Sequence, residues 1–424
     1  MLWIKNGRVM DPKTQLDQVM DLLIDGEKIQ MMGQNVAAPK DAKIIDATGK
    51  IVAPGLVDIH VHFREPGQTQ KETIHTGALS AAAGGFTTVV MMANTRPVLS
   101  SAALVRQTVQ WAKKEPLHIY TVASITENFD GETLTDFEEL IQAGAVGFSD
   151  DGVPLKSSKT LRNALKKAQR FGKMLSIHEE DPELVGTLGF NGSQFIASHC
   201  KIDGAPNVSE YSMIARDMML AYETKAKLHI QHLSAKESVD LVRFIKKMGA
   251  KVTAEVTPQH FSLTEAAVLE AGSYAKVNPP LRKSEDLSHL IEGLKDGTID
   301  VIATDHAPHT TAEKAQALLK SPSGMVGLET SLQLGLTHLV DKKHLTLMEL
   351  LEKMTWNPAQ LYDFDAGYLC ENGPADLVIF DSEKSSEIPD RFASKGENSP
   401  FVHQKVKGEI LMTISSGAII YEKK

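Results

Sequence analysis

The sequence predicts a (β/α)8 TIM-like barrel carrying a small β-sandwich domain formed by both termini. Three observations lead there. Between residues 54 and 366, short apolar strands alternate with helical stretches. Polar, chemistry-bearing residues recur at the C-terminal ends of those strands. The flanking segments, 1–53 and 367–424, resemble each other and differ from the middle. Strand–helix alternation sustained over one long stretch fits a closed barrel better than an open sheet. The expected division is therefore a composite β unit, 1–53 plus 367–424, beside a barrel domain, 54–366.

Taken in order, LWIKNGRVMD, VMDLLIDGEKIQMMG and AKIIDATGKIVAPG set apolar runs around Asn-Gly, Asp-Gly and Thr-Gly turn signals. From Ile51 the barrel pattern begins. Its eight strands read LVDIHVH, TTVVMMAN, HIYTVAS, AVGFSDD, MLSIHEE, KLHIQHLS, KVTAEVTP and DVIATDH. Helical stretches such as SSAALVRQTVQWAKK, SKTLRNALKKAQRFG, VSEYSMIARDMMLAYET and AKESVDLVRFIKKMG lie between them. Residues 308–327, PHTTAEKAQALLKSPSGMVG, form a long insertion after strand eight, where long loops often act as lids. After Gly367 short strands return in PADLVIFD, VHQKVKGEILMTISSG and AIIYEKK.

Composition narrows the class. The 424 residues carry 45 Lys and Arg against 54 Asp and Glu, a net charge of −9, so no nucleic-acid partner is expected. With 42% hydrophobic and 23% charged residues the chain is globular, and long enough to bury a large core. Cys200 and Cys370 offer no disulfide framework, which suits a reducing compartment. MLWIKNGRVMD has no apolar signal core. The stretch free of Asp, Glu, Lys and Arg from Thr73 to Thr95 splits into a small-residue helix, ALSAAAGG, and a β-branched strand, FTTVVMM, rather than reading as a membrane span. The expected location is the cytoplasm, with no membrane partner.

The sharpest local signal is His60-Val61-His62 at the end of the first barrel strand. Residues i and i+2 of a strand point to one face, so both imidazoles face the barrel interior at its C-terminal mouth. Alone, such a pair is more often two satisfied core histidines than a metal site. The other strand ends alter that balance: Asp150-Asp151 on strand four, His178 on five, His232 on six and Asp305 on eight. Burying these groups together without a cation carries a severe desolvation cost. Nitrogen and oxygen ligands without thiolates suit Zn2+ or a related divalent ion. Six candidates exceed one tetrahedral site, so two metals sharing a bridging hydroxide are expected. One takes His60, His62 and Asp305; the other takes His178 and His232, with Asp151 between them.

The run DIHVHFREPG, the strand-five and strand-six histidines and ATDHAPH resemble the amidohydrolase superfamily. With MMANTRP and VNPPLR, the chain is similar over nearly its whole length to the type I dihydroorotases of that superfamily. The resemblance implies reversible interconversion of L-dihydroorotate and N-carbamoyl-L-aspartate, a step of pyrimidine biosynthesis, over two zinc ions per subunit. It implies Asp151 as the bridging ligand, since strand four, AVGFSDDG, lacks the lysine that several relatives carbamylate there. Asp305 would be both ligand and proton shuttle. Arg64 matches the carboxylate-binding arginine, its planar fork suited to bidentate pairing. His62, Asn94, Asn278, His309 and Gly324 match further substrate contacts, although Ser323 stands where the family often has an aromatic residue. A homodimer, and an association with aspartate transcarbamoylase, are the macromolecular partners expected beside the small-molecule substrate.

Other residues read as structural. Asp150 is taken as a supporting or capping carboxylate, and His306 as facing away from the barrel interior behind Asp305. His118, His229, His289, His338, His344 and His403 lack paired spacing, and Met218-Met219 is core filling. A hydantoinase or allantoinase would usually lack Arg64 and keep the strand-four lysine. A catalytically silent assembly partner of aspartate transcarbamoylase would have lost metal ligands, whereas all six candidates remain.

Overall fold

Five strands open the chain: β1 (Leu2–Asp11), β2 (Leu16–Asp25), β3 (Lys28–Gly33), β4 (Lys43–Asp46) and β5 (Ile51–Pro54). The barrel strands follow, with β6 (Leu56–Val61), β7 (Phe86–Met91), β8 (His118–Thr121) and β9 (Met174–Ile177). A small parallel pair, β10 (Thr187–Asn191) and β11 (Gly204–Ala205), precedes β12 (Lys227–Ile230), β13 (Val252–Val256) and β14 (Val301–Ile302). Three strands close the chain: β15 (Leu377–Glu387), β16 (Lys405–Ser415) and β17 (Ala418–Glu422). This computed structural model describes residues 1–37 and 39–423. Ala38 and Lys424, within the ranges expected for the terminal β unit, lie outside the described residues.

The barrel is two parallel arcs, β6-β7-β8 and β9-β12-β13-β14. One junction is closed by Phe148, which bridges Ala123 on one side and Leu175 on the other; Val61 pairs with His306 at the second. β6 and β7 are buried along their whole lengths, as expected of parallel strands covered by helices outside and packed side chains inside. The fourth expected strand, AVGFSDD, is reduced to the Phe148 bridge. The cause is Asp150, whose carboxylate takes the N–H groups of Ile125 (2.6 Å) and Thr126 (3.2 Å), donors that a longer ladder would need. The outer helices follow their sequence signals. The helix Ser158–Arg170 buries Leu161, Ala164, Leu165 and Ala168 on one stripe, and Ser157 caps it by accepting the Thr160 N–H.

The terminal strands form one sheet in the order β17-β16-β15-β5-β1-β2-β3, with β4 paired to β1. β5 and β15 run antiparallel, Pro54 opposite Leu377, so the two ends of the chain meet at the sheet's centre. Ile4, Leu22 and Val52 from the first strands pack against Leu377, Ile379 and Ile414 from the last, and either set alone would leave this layer open to water. Only Gly55 separates β5 from β6; a Cβ there would lie 2.1 Å from Thr87 Oγ1, so the sheet joins the barrel through a residue that must lack a side chain. The connection between β15 and β16 leaves the sheet and returns to the barrel mouth, where Asn398 bonds the Ala307 carbonyl. Among the described residues, no helix is long and apolar enough to cross a membrane.

Candidate metal centre

The six expected ligands converge at the C-terminal mouth, all buried. His60 Nε2 and His62 Nε2 lie 3.6 and 2.9 Å from Asp305 Oδ1. Asp151 stands between the histidine pairs. Its Oδ1 is 3.6 Å from His60 Nε2, 3.9 Å from His178 Nδ1 and 3.7 Å from His232 Nε2, and its Oδ2 is 3.5 Å from His62 Nε2. Two groups of ligand atoms, His60-His62-Asp151 and Asp151-His178-His232, each fall within 4.8 Å and share that aspartate. Arg64, His232 and Asp305 hold φ of 30°, 33° and 50°. Such backbone costs non-glycine residues about 1–3 kcal/mol each and clusters at functional sites.

Three of the rings are oriented from behind. His60 Nδ1 donates to Glu255 Oε1 (2.6 Å), His62 Nδ1 to Asn94 Oδ1 (2.9 Å) and His178 Nε2 to Glu180 Oε2 (3.0 Å). Those bonds leave lone pairs on His60 Nε2, His62 Nε2 and His178 Nδ1 facing the centre. His178 Nδ1 lies 3.0 Å from His232 Nε2, within hydrogen-bond distance, so the two rings meet at the centre beside Asp151. His60 Nε2 and Asp151 Oδ1 are buried without a protein partner. Burial would push the His60 ring towards its neutral form, but Glu255 and Asp151 more than reverse this and hold its pKa well above the usual value. Orphaned buried donor atoms, nitrogen and oxygen ligands and a pull for positive charge all fit a divalent metal.

Beside this centre lies a cavity of about 170 Å3 lined by Arg64, Asn94, Asn278, His309 and Gly324, with His62, Asp151 and Asp305 on its metal side. Size does not choose the site: a depression of about 510 Å3 over Trp3, Lys5 and Gln34 on the terminal sheet gathers no histidine. Arg64 is buried and donates from Nε to the Pro308 carbonyl (3.3 Å); among the described residues no carboxylate lies within salt-bridge distance of it. Asn278 Oδ1 is buried without a partner. His309 donates from Nε2 to the Ser323 carbonyl (2.8 Å), while its Nδ1 faces Lys71 Nζ at 3.3 Å. Burial, then the charges of Arg64, Lys71 and Lys314, lower its pKa to about 2, so the ring is neutral.

Two expected substrate contacts are engaged within the protein. Asn94 bonds His62 and also donates from Nδ2 to Asp151 Oδ2 (3.2 Å), so it orients ligands as well as lining the cavity. The Gly324 N–H donates to the Lys276 carbonyl (2.9 Å), and its carbonyl accepts from Lys314 Nζ and Asn398 Nδ2, both at 3.0 Å. Its backbone is therefore spent on holding the loop, and it meets the cavity as a wall. Asp150 holds residues 125–126, the supporting role expected of it. Sequence reasoning missed Glu255, which also accepts from His229 Nε2 (3.0 Å) and the His232 N–H (3.2 Å). The signal available was a lone carboxylate inside the apolar strand KVTAEVTP.

A family model described as the amidohydrolase family matches residues 51–420. A dihydroorotase of Lactococcus lactis subsp. lactis (strain IL1403) is 63% identical over 423 residues, covering the whole of both chains. A dihydroorotase of Streptococcus pneumoniae serotype 4 is 58% identical over 423 residues, again covering both completely. Among solved structures, an L-hydantoinase (dihydropyrimidinase) from Arthrobacter aurescens superposes with a TM-score of 0.89 at 26% identity, covering 100% of this chain and 96% of that one.

Proposed function

Because the chain belongs to the amidohydrolase family and, within it, groups with the dihydroorotases, we propose that the mouth of the barrel opens the ring of L-dihydroorotate to N-carbamoyl-L-aspartate, and closes it in reverse. The observation that carries this reading is the pairing of the six-ligand cluster with a buried, carboxylate-free arginine across one small cavity. His60, His62 and Asp305 would hold one zinc ion and His178 and His232 a second, with Asp151 between them, supplying Lewis-acid polarisation and an acidified water when bound.

The protein's own groups supply the rest. Arg64 pairs with the substrate carboxylate and fixes which face of the ring meets the ligand cluster. His309, a neutral ring whose one N–H goes to the Ser323 carbonyl in the free protein, turns that Nε2–H to the same carboxylate in exchange, without competing for a proton. Asn278 Oδ1, free of protein donors, accepts a ring N–H. Asp305 Oδ1 lies 2.9 Å from His62 Nε2 on the ligand side, while among the described residues Oδ2 has no protein donor. That oxygen takes the proton of the attacking water and returns it to the departing ring nitrogen.

The division into a composite β unit, 1–53 plus 367–424, and a catalytic barrel, 54–366, belongs to the same proposal. So do a homodimer, an association with aspartate transcarbamoylase and a cytoplasmic location. Sedimentation of the protein alone, and with that enzyme added, reads out the two assemblies.

The test of the reaction is direct. Purified protein should hydrolyse dihydroorotate in preference to dihydrouracil, which has the same ring without the carboxylate. A preference for dihydrouracil or for uncharged hydantoins would move the chain to the hydantoinase reading.

A further inference from the structure

Residues 394–398, in the connection between β15 and β16, are left without a role by the reaction scheme. Asn398 is 2% exposed, and its amide is fully used. Oδ1 accepts the His309 N–H (3.0 Å), and Nδ2 donates to the carbonyls of Ala307 (3.1 Å) and Gly324 (3.0 Å). Its own carbonyl accepts the Val326 N–H (3.0 Å). One planar side chain therefore ties the strand-eight end that carries His309 to the loop that carries Gly324. A planar amide alone offers this fan of one acceptor and two donors; a carboxylate would set oxygen against two carbonyls, and alanine would leave the His309 N–H and the Ala307 carbonyl unpaired and the Gly324 carbonyl with Lys314 alone.

The segment is itself fixed. The Ser394 hydroxyl donates to Glu72, and the Ala393 and Ser394 N–H groups donate to Glu329 (3.0 and 3.1 Å). Gly396 lies against Pro308, where a Cβ would come within 2.7 Å of the proline Cβ, and the Pro308 carbonyl is the acceptor of Arg64 Nε. Both groups offered to the substrate carboxylate are thus backed by the same five residues. Contact across the pocket is tight: Gly324 has φ +125°, and a Cβ there would lie 3.1 Å from His309 Nε2. Lys276 and Lys314 hold loop carbonyls independently, so losing Asn398 frees the His309 side without releasing the whole loop.

We propose that Asn398 is a positioning residue for the carboxylate pocket, holding His309 and the Gly324 loop in register, so that the C-terminal end of the chain takes part in substrate selection. This rests on the reading that Arg64 and His309 receive the substrate carboxylate. The experiment compares wild type with Asn398→Ala, and with Asn398→Ser should the alanine variant unfold at lower temperature. It measures KM and kcat for dihydroorotate, Ki for dihydrouracil as a competitor, bound metal and Tm. The expected result is a KM raised about ten- to hundredfold by the unpaired groups, with kcat and metal content close to wild type and Ki for dihydrouracil unchanged. An unchanged KM, or KM and Ki rising together, would overturn the inference while leaving the wild-type preference for dihydroorotate intact. A wild type that binds the two compounds equally well removes the carboxylate reading, and the inference with it.

Discussion

Glu255→Gln tests how the ligand cluster is held. The wild-type carboxylate is fully buried and accepts from His60 Nδ1 at 2.6 Å, His229 Nε2 at 3.0 Å and the His232 N–H at 3.2 Å. Burial alone would favour its protonated form, but His60, then His229, hold its pKa well below the ordinary carboxylate range. Glutamine preserves the shape and one acceptor, and turns an NH2 group towards either His60 or His229. If it faces His60, that ring must move its proton to Nε2, the orphaned atom that points at Asp151. An oriented metal-binding histidine without its supporting carboxylate typically loses about 10–100-fold in metal affinity, equivalent to about 1.4–2.7 kcal/mol. If the NH2 faces His229, a buried donor is left unpaired, at about 1–3 kcal/mol of stability, with a smaller effect on the metal. Chelator competition with metal analysis, run beside thermal unfolding of the metal-free protein, separates the two. The account predicts the affinity loss, concentrated in one metal equivalent. Unchanged affinity at both equivalents would refute the claim that Glu255 fixes the tautomer of His60.

Three further outcomes are expected. Arg64→Met should lower kcat/KM for dihydroorotate by one to two decades, the worth of about 1.5–3 kcal/mol for a charge-assisted pair, and leave dihydrouracil turnover far less affected; equal losses on both would make Arg64 structural. Asp305→Asn should lower kcat by about 10²–10⁴-fold, and a near-normal rate at normal metal content would remove the proton-shuttle role. Lys314→Met should change the pH dependence of stability. Burial, then the charge of Lys276, lowers the folded pKa of Lys314 from 10.5 to about 7, so between those values the unfolded chain binds more protons. Wild type should accordingly gain stability as pH rises through that window, by up to about 1.4 kcal/mol per unit, and lose the gain as pH falls to 7. Equilibrium unfolding should show a flatter curve in the variant; parallel curves would contradict the assignment.

The metal cluster was legible because a barrel converts strand ends into neighbours. His60, His62, Asp151, His178, His232 and Asp305 are scattered over nearly 250 positions of sequence, yet parallel strands bring their C-terminal ends to one mouth. Alternation within the IHVH run told which residues face inward, and the Asp25-Gly26 pair marked the turn between β2 and β3, whereas Asn6-Gly7, expected as a turn, lies inside β1 at a shift of register. What supports those ligands was harder to read. Glu255 is paired with a ring 195 residues away, and no local spacing encodes which inward-facing carboxylate meets which histidine. His229 reads as an ordinary strand residue until Glu255 is opposite it. The fourth strand failed for a related reason: the ladder stops where the Asp150 side chain outcompetes backbone carbonyls for two N–H groups, a contest set by tertiary packing. Asn398 lay furthest from reach, since its partner His309 is 89 residues earlier and the terminal segments looked like a separate sheet.

The central claim is that this chain opens dihydroorotate over a metal pair held by these six side chains. The most direct measurement strips the protein with a chelator, restores zinc in steps, and records bound zinc and dihydroorotate hydrolysis on the same samples. The account predicts no turnover in the stripped protein and a rate that rises to a plateau at two equivalents per chain, with His232→Ala stopping near one equivalent and little activity. Full activity without metal, a plateau reached at one equivalent, or no dihydroorotate hydrolysis at any loading would contradict it.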